Sequence, residues 1–130
     1  MHQLVVIVAK YFIVLSALVT LAVLLKIKRP QQIRLIVAIV IGGVITYLLA
    51  KIGGHLYYDP RPFVAGHFAP YFGHANDNGF PSDHTLLAGL LAFSAWKYSR
   101  KAGYLLLALA IMIGGARVIA GVHHSADIVG

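Results

Sequence analysis

The chain has 130 residues, which is enough for one domain, and 59% of them are hydrophobic whereas only 12% are charged. A soluble domain carries about 25% charged residues, so the composition excludes an ordinary water-soluble protein. On a soluble chain, a net charge of +7 would suggest a protein that binds nucleic acid. Here the cations lie in short turns between apolar runs, so we expect no nucleic-acid partner. The absence of cysteine excludes disulfides, iron–sulfur clusters and cysteine-ligated zinc.

Apolar runs follow one another along the chain, and each is a candidate membrane helix. Residues 4–25 form the first run, which is long enough to cross about 30 Å of hydrocarbon. The second run covers residues 35–50 and is predicted to stay helical to about Tyr58. The third and fourth runs cover residues 85–96 and 102–122, and a fifth begins after His124. This pattern predicts a single all-α domain over residues 1–130, a polytopic transmembrane helix bundle with four full spans and a truncated fifth.

The charges predict the orientation of this bundle. Seven cations lie in the turns after the first and third runs: Lys26, Lys28, Arg29, Arg34, Lys97, Arg100 and Lys101. The four acids lie at or beyond the opposite ends of the runs: Asp59, Asp77, Asp83 and Asp127. By the positive-inside rule the basic turns are cytoplasmic, so we expect a membrane protein whose acidic side faces outward. The same outer side holds the long loop at residues 59–82, which is rich in proline and aromatic residues.

Polar residues cluster at three places on this outer side. The first cluster contains Arg61, with Lys51 two to three helical turns before it. The second is Ser82, Asp83 and His84 at the start of the third run, and the third is Arg117, His123 and Asp127 around the end of the fourth. A helical rise of about 1.5 Å per residue places all three at a similar depth below the outer surface. Ionisable groups at that depth are costly, so they predict a polar pocket at the level of the lipid headgroups.

The residue types in these clusters favour phosphoryl transfer. The forked guanidiniums of Arg61 and Arg117 suit phosphate oxygens, and a helix that begins at Ser82 would favour an anion. His123 and Asp127 are four residues apart, so on a helix they would share a face. The carboxylate could then hold His123 in the tautomer whose other nitrogen attacks phosphorus. This predicts a phosphohistidine intermediate, with His84 as proton donor to the leaving oxygen.

In these clusters the sequence resembles the type-2 phosphatidic acid phosphatases, whose motifs are K-x6-R-P, P-S-G-H and S-R-x5-H-x3-D. Here they read as Arg61-Pro62, then residues 81–84, then Arg117 with His123 and Asp127. The stretch from residue 57 to 130 looks most like the bacterial undecaprenyl-diphosphatase branch. The resemblance implies a lipid phosphatase that needs no metal and no cofactor, with a lipid phosphate as substrate.

The resemblance also implies a role for each matching residue. His123 matches the nucleophile, Asp127 its orienting acid and His84 the general acid, and Arg61, Arg117 and Ser82 match phosphate binders. We include Lys51 and Asp83 among the candidate phosphate-binding residues, although both depart from the family. The family lysine position falls on Gly54, Asp83 replaces a glycine, and Ala116 replaces a serine. The family has further helices after the third motif, so we expect a chain truncated at its C-terminus.

Hydrolysis of undecaprenyl diphosphate to the monophosphate is the preferred hypothesis, and two alternatives remain. One is a phosphatase acting on phosphatidic acid or phosphatidylglycerol phosphate, because the motifs recognise the phosphate and not the lipid tail. The other is a non-catalytic membrane protein that binds lipid phosphate with a decayed site. A zinc site is disfavoured because the arginines would repel a cation. His55, His67 and His124 are interpreted as loop or interface residues, and so is His74, although it could line the entrance. The sequence gives no oligomeric state.

Overall fold

The computed structural model describes residues 1–129, and these residues contain helices but no β-strand. The helices in chain order are α1 (His2–Lys26), α2 (Arg29–Leu56), α3 (Pro62–Ala65), α4 (Asp83–Trp96), α5 (Arg100–Ile119) and α6 (Ser125–Val129). The predicted all-α fold is confirmed. The second apolar run belongs to a helix that begins at Arg29 and ends at Leu56, close to the predicted end.

Three of these helices are long and apolar enough to cross a membrane, namely α1, α2 and α5. Helix α4 has 14 residues, which corresponds to about 21 Å at 1.5 Å per residue and falls short of the hydrocarbon thickness. Three of the four predicted complete spans therefore correspond to helices that could cross a membrane, and the span at α4 stays a prediction. The predicted fifth span falls on α6, which is described over five residues, and Gly130 lies outside the described residues.

Helices α1, α4 and α5 pack together around small side chains. Ala88, Ala92 and Ala95 on α4 are fully buried against α5, where Leu106 and Ile113 have no exposed surface. Alanines on a shared face let two helix backbones approach closely, which is the usual basis of helix packing in a bilayer. Helix α2 contributes one buried residue, Leu35, and leaves most of its other apolar side chains exposed along its length. The rigid part of the fold is therefore the α1–α4–α5 bundle.

The segment between α2 and α4 folds over the end of α5. The backbone N–H of Tyr71 donates to the Ala120 carbonyl over 3.1 Å, and that of Phe63 donates to the Gly121 carbonyl over 3.2 Å. Gly121 has a φ of 76°, which side-chain-bearing residues rarely adopt, and a Cβ there would lie 2.6 Å from the Phe68 ring. The turn after α5 thus depends on glycine, both for its conformation and for the close contact with this segment.

Candidate active site

A polar cavity of about 500 Å³ lies where the α2–α4 segment meets the ends of α4 and α5. Its lining contains the charged, amide and imidazole side chains Lys51, His55, Arg61, His74, Asp77, Asn78, Asp83, His84, Arg117 and His123. The three sequence clusters therefore meet in one place, as their estimated depths predicted.

His123 lies in the turn between α5 and α6 and is 3% exposed. Its Nδ1 is 3.2 Å from the Asp127 Oδ2, and the backbone N–H of His124 donates to the same oxygen over 2.8 Å. The carboxylate fixes the tautomer with the proton on Nδ1, so Nε2 carries the lone pair. The two residues do not share a helix face, because His123 precedes α6. The contact comes instead from the turn that begins α6.

The Nε2 atom of His123 faces two guanidinium groups. It accepts from Nη1 of Arg61 over 3.1 Å and from Nη2 of Arg117 over 3.4 Å. Burial, followed by the charges of Arg117 and Arg61, lowers the pKa of His123 to about 3. The side chain is therefore a neutral imidazole whose lone pair points into a positively charged pocket, the form that a nucleophile requires.

Arg61 is the residue that precedes α3, and it is 5% exposed. Its Nη1 also donates to the Val122 carbonyl over 2.9 Å, and its Nε donates to Asp77 Oδ1 over 2.7 Å. Burial acts to raise the pKa of the Asp77 carboxyl, but the hydrogen bond and charge of Arg61 outweigh it and hold that pKa below its ordinary value. Arg61 is thus fixed from both sides, by the turn after α5 and by its own loop.

Arg117 lies in the last turn of α5 and is 3% exposed. Its Nη1 donates to the backbone carbonyl of Ala9 on α1 over 3.2 Å. Its Nη2 contacts Nε2 of His74 over 3.2 Å as well as His123. The guanidinium is therefore held by the rigid bundle on one side and reaches the two imidazoles on the other.

His84, the second residue of α4, lines the cavity and is partly buried. The other residues of this motif lie differently. Asp83 is exposed at the cavity wall, whereas Ser82 is fully buried, and its hydroxyl accepts from the Thr85 hydroxyl over 3.2 Å. The Ser82 backbone N–H donates to the Asp127 carbonyl, which joins the start of α4 to α6. Phosphate binding by Ser82 and Asp83 stays a prediction, and in this geometry Ser82 does not line the cavity.

Lys51 lines the same cavity from α2, with its Nζ 5.4 Å from the centre of the Tyr47 ring. Gly54, the position of the family lysine, also lines the cavity, but a Cβ there would lie 3.2 Å from the Phe80 carbonyl oxygen. A side chain at this position would require the neighbouring loop to move. Lys51 is therefore the side chain through which α2 brings an ammonium group to the cavity.

Two side chains that no motif contains help to build the site. His74 lies in the middle of the loop and contacts Arg117. The sequence predicts it only as a residue that could line the entrance. Asn78 connects that loop to the end of α2. Its Oδ1 accepts from the backbone N–H groups of Asp59 and Phe80, and its Nδ2 donates to the carbonyls of Gly54 and Tyr57. The Asn78 amide therefore makes all four hydrogen bonds available to it. The spacing of residues along the loop does not predict these contacts.

Within residues 1–129, one group of side chains could together hold a metal ion, because one ligand atom from each lies within 4.8 Å of the others. This group consists of Asp59, His124 and Asp127. The Asp127 Oδ2 already accepts from His124 and faces His123, and the His124 ring lies 3.1 Å from the Asp59 Oδ2. These contacts orient His123 without a metal, and the absence of a metal from the reaction stays a prediction.

Comparison with known proteins gives one consistent family. The sequence model described as the PAP2 superfamily matches residues 31–130. The undecaprenyl-diphosphatase BcrC of Bacillus subtilis is 32% identical over 133 residues, which cover 100% of this chain and 67% of that protein. The putative undecaprenyl-diphosphatase YbjG of Escherichia coli is 36% identical over 101 residues, 76% of this chain and 50% of that protein.

A bacitracin transport permease protein, BcrC of Bacillus licheniformis, is 35% identical over 95 residues, 72% of this chain and 47% of that protein. The chain thus spans about half to two thirds of the length of these relatives. No solved structure gives a significant match.

Proposed function

Because the chain belongs to the PAP2 superfamily, we propose that it is a membrane lipid phosphatase that hydrolyses a polyprenyl diphosphate to the monophosphate. The observation that carries the proposal is the environment of His123. Its Nδ1 is tied to Asp127 while its Nε2 faces the guanidiniums of Arg61 and Arg117. A neutral imidazole with its lone pair between two arginines is suited to attack a phosphorus atom whose oxygens those arginines hold.

The proposed reaction has two steps. In the first, Arg61 and Arg117 donate to oxygens of the terminal phosphate, and His123 Nε2 forms a bond to its phosphorus. The bond from phosphorus to the bridging oxygen breaks, His84 protonates that oxygen, and the lipid monophosphate leaves. In the second step His84 accepts a proton from water and the water oxygen attacks the phosphorus. The bond from phosphorus to His123 Nε2 breaks, and inorganic phosphate is released. Asp127 stabilises the positive charge on His123 in the first step.

An apolar groove supports a lipid substrate. A second cavity of about 230 Å³ lies between α2 and α4, with Leu86, Leu87 and Leu90 in its lining. It shares the lining residues Tyr47, Ala50 and Asp83 with the polar cavity, so the two cavities adjoin. A molecule with its phosphates near His123 could extend its hydrocarbon chain along this groove. The names of two relatives favour undecaprenyl diphosphate as that molecule.

The test of the mechanism is phosphate release by the purified protein. We expect His123→Ala to lose at least about 1000-fold in rate. His67→Asn is the control, because His67 is an exposed histidine of the segment between α2 and α4, with a φ of 52° that asparagine tolerates. Substrate labelled with ³²P on the terminal phosphate should label the wild-type chain with an acid-labile bond. Unchanged turnover or labelling in His123→Ala would contradict the phosphohistidine, whereas a wild-type protein that releases no phosphate would leave a lipid-phosphate binder as the function.

The groove would also accept the tails of phosphatidic acid or phosphatidylglycerol phosphate, so these lipids define the second candidate function. Phosphate release from the three lipids should be compared at equal mole fraction in the same detergent micelles. We expect the polyprenyl diphosphate to be hydrolysed fastest, because its leaving group is a phosphate and not an alkoxide. Equal rates on all three lipids would contradict the polyprenyl proposal.

The proposal places the cavity at the outer face of the cytoplasmic membrane. Its support is that the basic turns after α1 and α4 lie at the ends of their helices away from the cavity. Since the chain has no cysteine, single cysteines can report the sidedness. A membrane-impermeant maleimide applied to intact cells should label Asn76→Cys, in the exposed part of the loop, and spare Lys28→Cys. The reverse pattern would overturn this orientation.

A further inference from the structure

His74 belongs to none of the three motifs, yet it contacts the centre of the site. Its Nε2 is 3.2 Å from Nη2 of Arg117, and its ring centre is 6.1 Å from that of His123. The side chain is partly buried and lines the polar cavity. Its position brings a third imidazole, beside those of His84 and His123, to the place where the phosphate would bind.

The loop that carries His74 is anchored just before this residue. The His2 ring stacks on Tyr71 at 4.1 Å, and the Tyr71 backbone N–H donates to the Ala120 carbonyl. Phe72 lies between two cations, with Lys10 Nζ 4.7 Å and Arg117 Cζ 6.0 Å from its ring centre. Contacts to α1 and to the end of α5 therefore hold the two preceding aromatic residues. The geometry of His74 follows from a fixed loop and not from an open segment.

The hydrogen bond identifies the protonation state of His74. A guanidinium only donates, so His74 Nε2 accepts from Arg117 and the imidazole is neutral. Burial lowers the pKa of His74, and the charges of Arg61 and Arg117 lower it further. The groups that face His74 from the surrounding elements are Arg61, Asp77, Asp83, His84, Arg117 and His123, with Lys10 beyond the Phe72 ring. Positive charge prevails among them, which keeps His74 neutral.

We propose that His74 is a further phosphate-binding residue, which takes up one proton from solvent when a tetrahedral oxyanion enters the cavity. The inference rests on the proposed function, since it takes the polar cavity to be the phosphate site. A dianion beside Arg61 and Arg117 cancels the field that disfavours an imidazolium. Arg117 turns its N–H groups to the anion, so Nε2 of His74 is released, is protonated and donates to an anion oxygen. One proton moves from water to Nε2, and no covalent bond forms.

The test uses sulfate as the probe, because sulfate does not titrate between pH 5 and 9 and cannot be hydrolysed. Titration calorimetry of the purified full chain at pH 7, in two buffers with different heats of ionisation, gives the number of protons taken up on binding. We expect wild-type protein to take up a proton and His74→Gln to take up less. Glutamine keeps an acceptor for Arg117 but cannot be protonated, so it separates the two roles of the imidazole.

Affinity against pH gives the second readout. We expect His74→Gln to bind sulfate about tenfold more weakly than wild type at pH 6 and equally at pH 8.5, where His74 stays neutral in both states. The His67→Asn control should match wild type at both pH values. Equal proton uptake and a pH-independent affinity ratio in His74→Gln would overturn the proposal, and so would a wild-type protein that binds no sulfate. Sulfate binding coupled to His74 in a protein without phosphatase activity would support this inference while refuting the proposed reaction.

Discussion

The two ends of the helix bundle use basic residues in opposite ways. At one end, all seven cations of the two basic turns are exposed, and none of them forms an ion pair within residues 1–129. These cations are Lys26, Lys28, Arg29, Arg34, Lys97, Arg100 and Lys101. At the other end, Arg61 and Arg117 are almost fully buried and hydrogen-bonded to backbone carbonyls and histidines. An exposed charge is solvated wherever its side chain points, whereas a buried charge must be held by specific partners. The contrast separates the cations that we propose to orient the chain from the cations that we propose to bind phosphate.

The sharpest test of this contrast lies on one helix, because Arg100 begins α5 and Arg117 lies in its last turn. We expect Arg117→Ala to lower kcat/KM about 1000-fold, since it removes a donor aimed at the reacting phosphate. Arg100→Ala should change kcat/KM less than twofold in detergent. Arg117→Lys should remain strongly impaired, because an ammonium group cannot reach Ala9, His74 and His123 at once. Similar losses in both alanine variants would mean that burial does not distinguish the two cations.

The second prediction concerns the charges that surround His123. With its pKa near 3, His123 stays neutral as the pH falls from 7 to about 4, so kcat/KM should show no loss from this residue in that range. Removing a positive neighbour makes protonation easier and raises the pKa. As the pH falls, Arg117→Gln should therefore begin to lose kcat/KM at a higher pH than the wild type does. Burial, the largest cause of the low pKa of His123, still keeps that pKa below 6.5 in the variant.

The pH profiles should be measured for both proteins with the same diphosphate lipid, and each should be scaled to its own maximum. Titration of the substrate phosphates then affects the two profiles equally and cancels in their ratio. A wild-type profile that falls tenfold per pH unit below pH 6.5 would indicate an ordinary histidine at position 123. It would thereby contradict the neutral nucleophile.

Asp77 tests whether the buried end depends on its acidic residues. Its carboxylate accepts from Arg61 Nε over 2.7 Å, yet 60% of its side chain is exposed. Since Val122 and Asn78 carbonyls also hold Arg61, we expect Asp77→Ala to raise KM about tenfold with a smaller change in kcat. Asp77→Asn keeps an acceptor for Nε and should lose about threefold. An unchanged KM in both variants would show that the turn after α5 positions Arg61 alone.

The sequence predicted the parts of this site that depend on spacing. The helices end near their predicted limits, and the motif residues Arg61, His84, Arg117 and His123 line one cavity with Asp127 behind His123. These positions follow from helix lengths, because each residue lies at or near a helix end. The sequence did not predict the contacts of His74, Asp77 or Asn78. Their positions depend on how one irregular loop packs on α1 and α5, and irregular backbone has no periodicity from which to infer such contacts.

Two local details could not be read from spacing either. A separation of four residues is compatible with a helix face or with a turn, and the backbone of residues 121–124 selects the turn. The Ser82 hydroxyl could face the cavity or the interior, and its hydrogen bond with Thr85 directs it inward. In both cases one or two dihedral angles decide the contact, and tertiary packing fixes those angles.

The smallest expected effect on activity belongs to the exposed end. We expect the combined variant Lys97→Gln, Arg100→Gln and Lys101→Gln to keep kcat/KM within twofold in detergent, because these side chains are solvated and lie at the end of α5 opposite Arg117. In cells the same variant should insert less uniformly, since three of the cations that we propose to hold the turns in the cytoplasm are gone. Maleimide labelling of Asn76→Cys in that background measures the loss. A tenfold fall of kcat/KM in detergent would show that the exposed cations act on the cavity, and the separation of the two ends would then fail.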